Sequence, residues 1–377
     1  MKWVLAVLSL GFALVLGEVV CRLVLPRPGF IAVTGNAFPG AIRPHPSRLY
    51  QLVPNYSATL PGGTFGSMTF QTNADGLRER PLSVVRRSKV RILAIGDSFT
   101  FGTGIDGAET WTARLERTLG QRFAKDSSVA VINAGVPAYG LAQLRDLTEE
   151  LLPRLDPQIL LLGVYTGGFD RMTDPFTAYD GFVIRRALLG QVRRVEGGML
   201  VSPFTRPSAV SFDHWLQGHW YLGAYLFEGA NRLRAVVLRN LRPAGHPSLA
   251  TVMQSDSVVA LQTGLAEIRR IQADARTRGV TLVVVLAPGF DADNHVPPNQ
   301  QRLAAEVTRF CAEAGIPVFD PTAPLENSGM PLRVRPNDIH LSAAANAVVA
   351  DRLAAYLIER VATARRQPTI AAFVTRE

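Results

Sequence analysis

Val90-Arg91-Ile92-Leu93-Ala94-Ile95-Gly96-Asp97-Ser98-Phe99-Thr100-Phe101-Gly102 joins a short apolar run to a glycine-flanked polar turn. The run reads as a strand buried on both faces, and the turn reads as leading into the start of a helix. A serine at the carboxyl end of such a strand is lifted out of the sheet. The free N–H groups of the helix start then face any negative charge that develops beside it. The plainer reading is that Asp97 or Ser98 caps the helix. The stretch alone leaves both open.

Similar strand-then-helix units recur. Apolar runs at 90–96, 129–134, 159–165, 281–287 and 317–320 read as five strands. Helical patterns fall near 109–122, 140–154, 255–278 and 299–314, with a last one at about 342–363. Strands alternating with helices imply a parallel sheet covered on both faces, a three-layer α/β/α sandwich of flavodoxin-like type. Ligands of such sheets bind beyond the carboxyl ends of the strands. Ser98, Gly135 and the loop after Tyr165 all follow strands and therefore share one rim.

Asp338-Ile339-His340-Leu341-Ser342 lies just before the last helical pattern and can reach that rim. A serine hydroxyl needs a base, usually an imidazole oriented by a carboxylate. Asp338 and His340 provide both on one loop. Asn133-Ala134-Gly135-Val136-Pro137-Ala138-Tyr139-Gly140 follows the second strand, and Gly135 there can bring a backbone N–H close to a substrate.

Serine block first, glycine turn second and Asp-x-His last, the chain resembles the SGNH (GDSL-type) hydrolases over about residues 70 to 363. The resemblance implies Ser98 as nucleophile, His340 as general base and Asp338 as the carboxylate that orients it. Many members place the acid three residues before the histidine, at what is here Asn337; others use the two-residue spacing, and only Asp338 carries a charge. The implied oxyanion hole combines the N–H groups of Ser98 and Gly135 with a third block after Tyr165. That block usually contains an asparagine whose amide donates to the oxyanion, but here it reads Thr166-Gly167-Gly168-Phe169-Asp170, with Gly168 at the asparagine's place. Losing one such donor costs on the order of 3 kcal/mol of transition-state stabilisation. Backbone N–H groups at Gly167 and Gly168 substitute, or another group fills in, or the catalyst is slow.

At 377 residues with 47% apolar and 19% charged content, the chain is long enough for a large core and is not of disordered composition. The net charge of +9 comes almost wholly from arginine; Lys2, Lys89 and Lys125 are the only lysines. No helix has one basic face and no basic run is interleaved with aromatics, which argues against a nucleic-acid partner. A basic surface suits anionic lipid or an acidic polysaccharide. Cys21 and Cys311 lie in separate elements and are not expected to pair.

Residues 1–25 read as a membrane anchor or signal segment. Trp3 to Gly17 is uncharged and almost wholly apolar, Glu18 and Arg22 follow at i and i+4, and Val19 to Leu25 is otherwise apolar. A helix over the whole segment reaches the roughly 20 residues a bilayer needs. A signal anchor is the first reading and cleavage after Gly17 the second. Flanking charges leave the orientation open. The family resemblance implies a periplasmic or extracellular body acting on an exported glycan.

Residues 26–89 read as a linker with a small β-rich addition, including a strand at 67–72 and the turn Asn73-Ala74-Asp75-Gly76-Leu77-Arg78. The catalytic-type domain spans 90–363, interrupted at about 170–250 by an insertion over the active site, expected to be helical, either a substrate lid or a structural flap. Residues 364–377 form a tail. His214 and His219 lie five apart beside Trp215 and Trp220, which suits packing or a membrane interface better than a metal. Asp291, Asp293 and His295 read as a solvated rim loop. No metal or organic cofactor is implied. The reading is a serine esterase acting on an O-acyl, especially O-acetyl, glycan ester. Its alternatives are an O-acyltransferase with the same triad and a non-catalytic glycan-binding or assembly protein. The first two differ only in the acceptor; labelling of Ser98 by a fluorophosphonate separates both from the third.

Overall fold

The computed structural model describes residues 2–24, 36–37, 40–63, 66–122, 128–179, 181–190, 192–194, 200–201, 212, 215–216, 218–227, 229–230, 249–291, 293–334 and 338–364. Asn337, His214, all of residues 25–35 and the tail beyond Ala364 lie outside them. The chain forms two compact units: residues 1–36 with 187–252, and residues 37–186 with 253–377.

The second unit is built on five parallel strands: β1 (Val90–Gly96), β2 (Val129–Gly135), β3 (Ile159–Tyr165), β4 (Thr281–Ala287) and β5 (Val318–Phe319). Their spatial order is β5-β4-β3-β1-β2. The order reverses between β1 and β3, the switch point at which doubly wound sheets bind ligands. The strand β5 is shorter than the apolar pattern suggests because Pro317 and Pro321 flank it and cannot donate to a ladder.

Alternation along each strand sends side chains to two cores. Leu93, Ile95, Ile132, Leu160, Leu162 and Val284 pack on one face with helices α4 (Leu141–Leu155), α5 (Leu249–Thr277) and α6 (Pro298–Glu313). Ile92, Ala94, Val131, Leu161, Val283 and Val285 pack on the other with α3 (Trp111–Arg122) and α7 (Ala343–Ala364). Each fully buried Leu or Ile contributes about 1.5–3 kcal/mol, which makes the alternation a strong register signal. The helix α5 starts at Leu249, earlier than the expected 255, because Pro247 is the last helix breaker before it.

The edge strand β2 is closed off by carboxylates. The Val131 N–H donates to Glu116 (2.8 Å) and the Asn133 N–H to Glu79 (3.0 Å). Arg80 bridges to both oxygens of Glu116 at 2.6 and 3.0 Å. This blocks edge-to-edge pairing. Burial pushes the Glu79 carboxyl above its ordinary value.

The β-rich addition consists of two hairpins, Ile42–His45 with Leu49–Leu52 and Ser57–Gly63 with Gly66–Gln71. The insertion is not wholly helical as expected: Phe176–Tyr179 and Phe182–Arg185 form a hairpin in the second unit. The Asp180-Gly181 pair between them, with Gly181 at φ 82°, is the turn signal that marks it. Among the described residues a 3-10 turn follows at Arg186–Leu188, and α-helical residues appear between 212 and 230 in the first unit. That unit also holds α1 (Lys2–Val24), whose 23 residues are long and apolar enough to cross a membrane.

Candidate active site

Ser98 opens α2 (Ser98–Phe101), a single turn at the end of β1. Asp97 caps it, accepting the Phe99 N–H at 3.0 Å. Asp97 is thus the cap, and Ser98 occupies the first helical position. The turn lies close against the sheet because glycines line its path. A Cβ on Gly96 or Gly163 would sit 2.1 or 2.3 Å from Thr100 Oγ1, and one on Gly135 would sit 2.2 Å from the Phe101 nitrogen. Any side chain at these positions would push the serine turn off the strand ends.

His340 reaches the same rim. Its ring lies 5.2 Å from that of Phe99, the residue after Ser98. Its Nδ1 is 2.5 Å from Asp338 Oδ1, which also accepts the His340 backbone N–H at 2.9 Å. A carboxylate only accepts, so Nδ1 carries the hydrogen of this pair and Nε2 keeps the lone pair a base needs. The loop is pinned by the Val334 N–H to His340 O bond (2.9 Å) and the Ser342 N–H to Leu332 O bond (2.8 Å). Asn346 ties it to the core, donating to the Leu341 and Ser342 carbonyls and accepting the Trp111 N–H of α3.

The expected oxyanion donors fare differently. The Gly135 N–H already donates to Asn133 Oδ1 at 3.0 Å, so it is engaged rather than open to a substrate. The glycine is needed there for the close approach of α2. Three residues on, Ala138 holds φ 65°, the left-handed region that a non-glycine residue enters at a cost of about 1–2 kcal/mol. Its loop is held from several sides. The Tyr50 hydroxyl donates to Pro137 O at 2.5 Å, the Tyr139 hydroxyl donates to Tyr50 O, and Arg171 donates to Tyr139 O at 2.9 Å.

Gly167 and Gly168 lie in a 3-10 turn, Thr166–Met172, and neither is at positive φ. A Cβ on Gly167 would sit 2.3 Å from the Tyr165 hydroxyl oxygen, so that glycine is required by contact. A Cβ on Gly168 would sit 3.1 Å from the Tyr165 ring and 3.2 Å from Arg171 Cζ. The Arg171 guanidinium thus stands beside the place where the family's asparagine would project. It donates to Asp97 Oδ2 at 2.7 Å. Burial pulls the Arg171 guanidinium's pKa down, and the adjacent Asp97 carboxylate more than offsets this. The ion pair links the third block directly to the residue before Ser98.

Arg78, from the β-rich addition, grips the other end of α2. Its guanidinium donates to the carbonyls of Phe101 (2.7 Å), Gly102 (2.7 Å) and Ile105 (2.7 Å) and lies 4.7 Å from the Phe101 ring centroid. Burial lowers its pKa to about 10, so it stays charged at neutral pH, against the carbonyl end of the helix. Sequence reasoning missed Arg78, Ala138 and Arg171 as parts of this site. The Asn-x-Asp-Gly-Leu-Arg string was the one signal for the first. Asp291 Oδ1 accepts the N–H groups of Asp293 and His295 at 2.9 Å each, a turn that uses the carboxylate internally. Among the described residues no cluster of His, Cys, Asp and Glu is placed to hold a metal.

The model of the GDSL-like lipase/acylhydrolase family matches residues 94–348. No curated protein sequence matches the chain. Solved structures similar to it include an acetylxylan esterase from Geobacillus stearothermophilus, at 14% identity and a TM-score of 0.40 over 72% of this chain and 94% of that one. Another is a psychrotrophic esterase from Pseudoalteromonas sp., at 11% and 0.38 over 72% and 98%. A third is an alpha/beta hydrolase enzyme from the metagenome of Lake Arreo, at 13% and 0.40 over 71% and 94%.

Proposed function

Because the chain belongs to the GDSL-like lipase/acylhydrolase family, and is by that membership a carboxylic ester hydrolase, we propose that Ser98, His340 and Asp338 are its catalytic triad. The observation that carries this is the buried His340–Asp338 pair, 2.5 Å apart, with the imidazole against Phe99 at the serine turn. Ser98 Oγ attacks the ester carbonyl carbon while His340 Nε2 takes its proton. The alkoxide leaves with that proton. Water then attacks the acyl-enzyme, with His340 again as base, and releases the acid. Asp338 holds the imidazole and balances its charge.

In this reading the oxyanion is held by the Ser98 N–H, at the unpaired start of α2, and by the Ala138 N–H in place of the occupied one at Gly135. The strained Ala138 backbone supports that assignment, since such strain persists where surrounding bonds enforce it for a purpose. Gly168 contributes no side chain, and Arg171 stands nearby to supply positive potential. The proposed substrate is an O-acyl ester, acetyl above all, on an envelope or extracellular glycan. A membrane anchor at residues 1–25 and a body outside the cytoplasm fit that substrate. Transfer to a sugar hydroxyl in place of water is the alternative outcome of the same acyl-enzyme.

The test is covalent labelling. A fluorophosphonate is expected to modify Ser98 alone, as mapped by mass spectrometry, and Ser98→Ala is expected to lose both labelling and hydrolysis of a small acetyl ester. Labelling that persists in Ser98→Ala would refute the assignment.

A further inference from the structure

Within the first unit, α1 is not bare along its whole length. Its last two turns carry Glu18 and Arg22, and both charges are used by residues two hundred positions away. Glu18 accepts the Tyr221 N–H at 3.0 Å and the Leu222 N–H at 2.8 Å. These are the first two residues of the helical stretch 221–227, so the carboxylate caps a helix that has no cap of its own in sequence. Arg22 donates to Glu18 at 2.6 Å and to the His219 carbonyl at 3.0 Å, and its guanidinium sits 4.5 Å from the Tyr221 ring centroid. Gly17 makes the approach possible: a Cβ there would lie 3.0 Å from Leu222 Cδ2.

The docked segment carries an aromatic cluster. Phe212 stacks on Trp215 at 6.3 Å, Trp215 stacks on His219 at 5.2 Å, and Phe212 meets Phe227 edge-on at 5.4 Å. Yet Phe212, Trp215 and Leu226 remain 49%, 52% and 58% exposed. The adjoining turns of α1 are equally bare: Val19, Val20, Leu23 and Val24 are 47%, 48%, 80% and 73% exposed. The Glu18–Arg22 clamp joins the two elements that carry these exposed apolar residues. Tryptophan and tyrosine, both present here, are the residues enriched at the headgroup level of a bilayer. A helix whose first N–H groups are satisfied by a carboxylate, not by water, is suited to that depth.

We propose that residues 212–227 are a lipid-interface element seated on the end of the anchor, so that the bilayer crossed by α1 also covers Phe212, Trp215 and Leu226. The proposal rests on the reading of α1 as a membrane helix. It assigns this part of the insertion to the lipid and not to a solvent-exposed flap. The Glu18–Arg22 pair becomes the latch between the two elements and explains why the last two turns of an apolar helix carry a charged pair.

The experiment uses the full chain in phosphatidylcholine–phosphatidylglycerol vesicles containing a phospholipid with a diazirine near the headgroup end of its acyl chain. After photolysis, adducts are mapped by mass spectrometry. Adducts are expected both within residues 3–24 and in the peptide spanning 212–227, and none in β4. Glu18→Ala is expected to cut the second set about tenfold, the factor for losing charge-assisted hydrogen bonds, while leaving the first set unchanged. Adducts in 3–24 with none in 212–227 would overturn the inference and leave the anchor standing. Absence of adducts from 3–24 would overturn both. If 212–227 gives no lipid adducts and a bifunctional amine- and carboxyl-reactive protein crosslinker, applied separately to the same vesicles, joins two chains through this segment, the patch is reassigned to a second copy of the chain.

Discussion

Asp338 Oδ1 accepts two hydrogens of one residue, the backbone N–H and the Nδ1–H of His340. An amide in its place can keep a similar shape but carries no charge and can present its NH2 group to the ring, which favours the wrong tautomer. Asp338→Asn is therefore expected to lower kcat by about 10³–10⁴ with KM little changed. A loss under tenfold would mean that another group orients His340. Gly168 allows a sharper test. An asparagine there has the amide the family uses, but its Cβ would arrive 3.2 Å from Arg171 Cζ. To fit, it has to push the guanidinium away from Asp97, and disturbing a buried ion pair typically costs several kcal/mol. Gly168→Asn is expected to lower both Tm and kcat/KM. A gain in kcat/KM at unchanged Tm would show that Arg171 yields freely and that a third donor had been missing. The two positions also show what a sequence discloses. The Asp338–His340 contact is legible because it depends on local spacing. Arg171 is not, because its meaning comes from Asp97, 74 positions away. Gly135 is ambiguous in sequence because a glycine has two uses: the structure shows close packing against Phe101, with the N–H donating to Asn133.

The element that carries the nucleophile, α2, is one turn long and far below the length at which a helix is stable by itself. Its position is imposed from outside: by Asp97 at its start, by the glycines beneath it and by Arg78 at its end. Arg78 replaces the solvent that would otherwise satisfy the Phe101, Gly102 and Ile105 carbonyls. Three carbonyls in different directions match the fixed fork of a guanidinium and not the compact ammonium of lysine. Arg78→Met is expected to lower kcat at least about tenfold while KM changes little, with a fall in Tm from the unsatisfied carbonyls. Arg78→Lys is expected to recover most of the Tm and only part of the kcat. If kcat followed Tm in both variants, Arg78 would serve stability alone. The strand and helix pattern of the sheet was legible from hydrophobic period because five buried strands alternate between two cores. The β-rich addition was legible only as turns and one strand. Its partners, such as Tyr50 against Pro137 and Tyr139, are set by tertiary contacts that no periodicity records.

At the scale of the whole molecule, α1 is the one helix among the described residues long and apolar enough to cross a membrane. Twenty-three residues at 1.5 Å each give about 34 Å, enough for a hydrocarbon core of about 30 Å. Were α1 to cross the bilayer as a single span, the hydrolase body and its substrate would share a compartment. The charges at the two ends of α1 are nearly balanced in sequence: Lys2 and the amino terminus at one end, Arg22 and Arg27 at the other. The proposed exported-glycan substrate requires Lys2 and the amino terminus on the cytoplasmic side, and this near-balance makes the orientation directly testable. Fusion of alkaline phosphatase to the C-terminus is therefore expected to give active phosphatase in the membrane fraction. Replacing Lys2 with glutamate is expected to lower that activity by making the first flank less positive. Active but soluble fusion protein would indicate cleavage, with Gly17 the site to sequence for. An inactive fusion retained in the membrane would place the body in the cytoplasm, and an exported glycan could not then be its substrate.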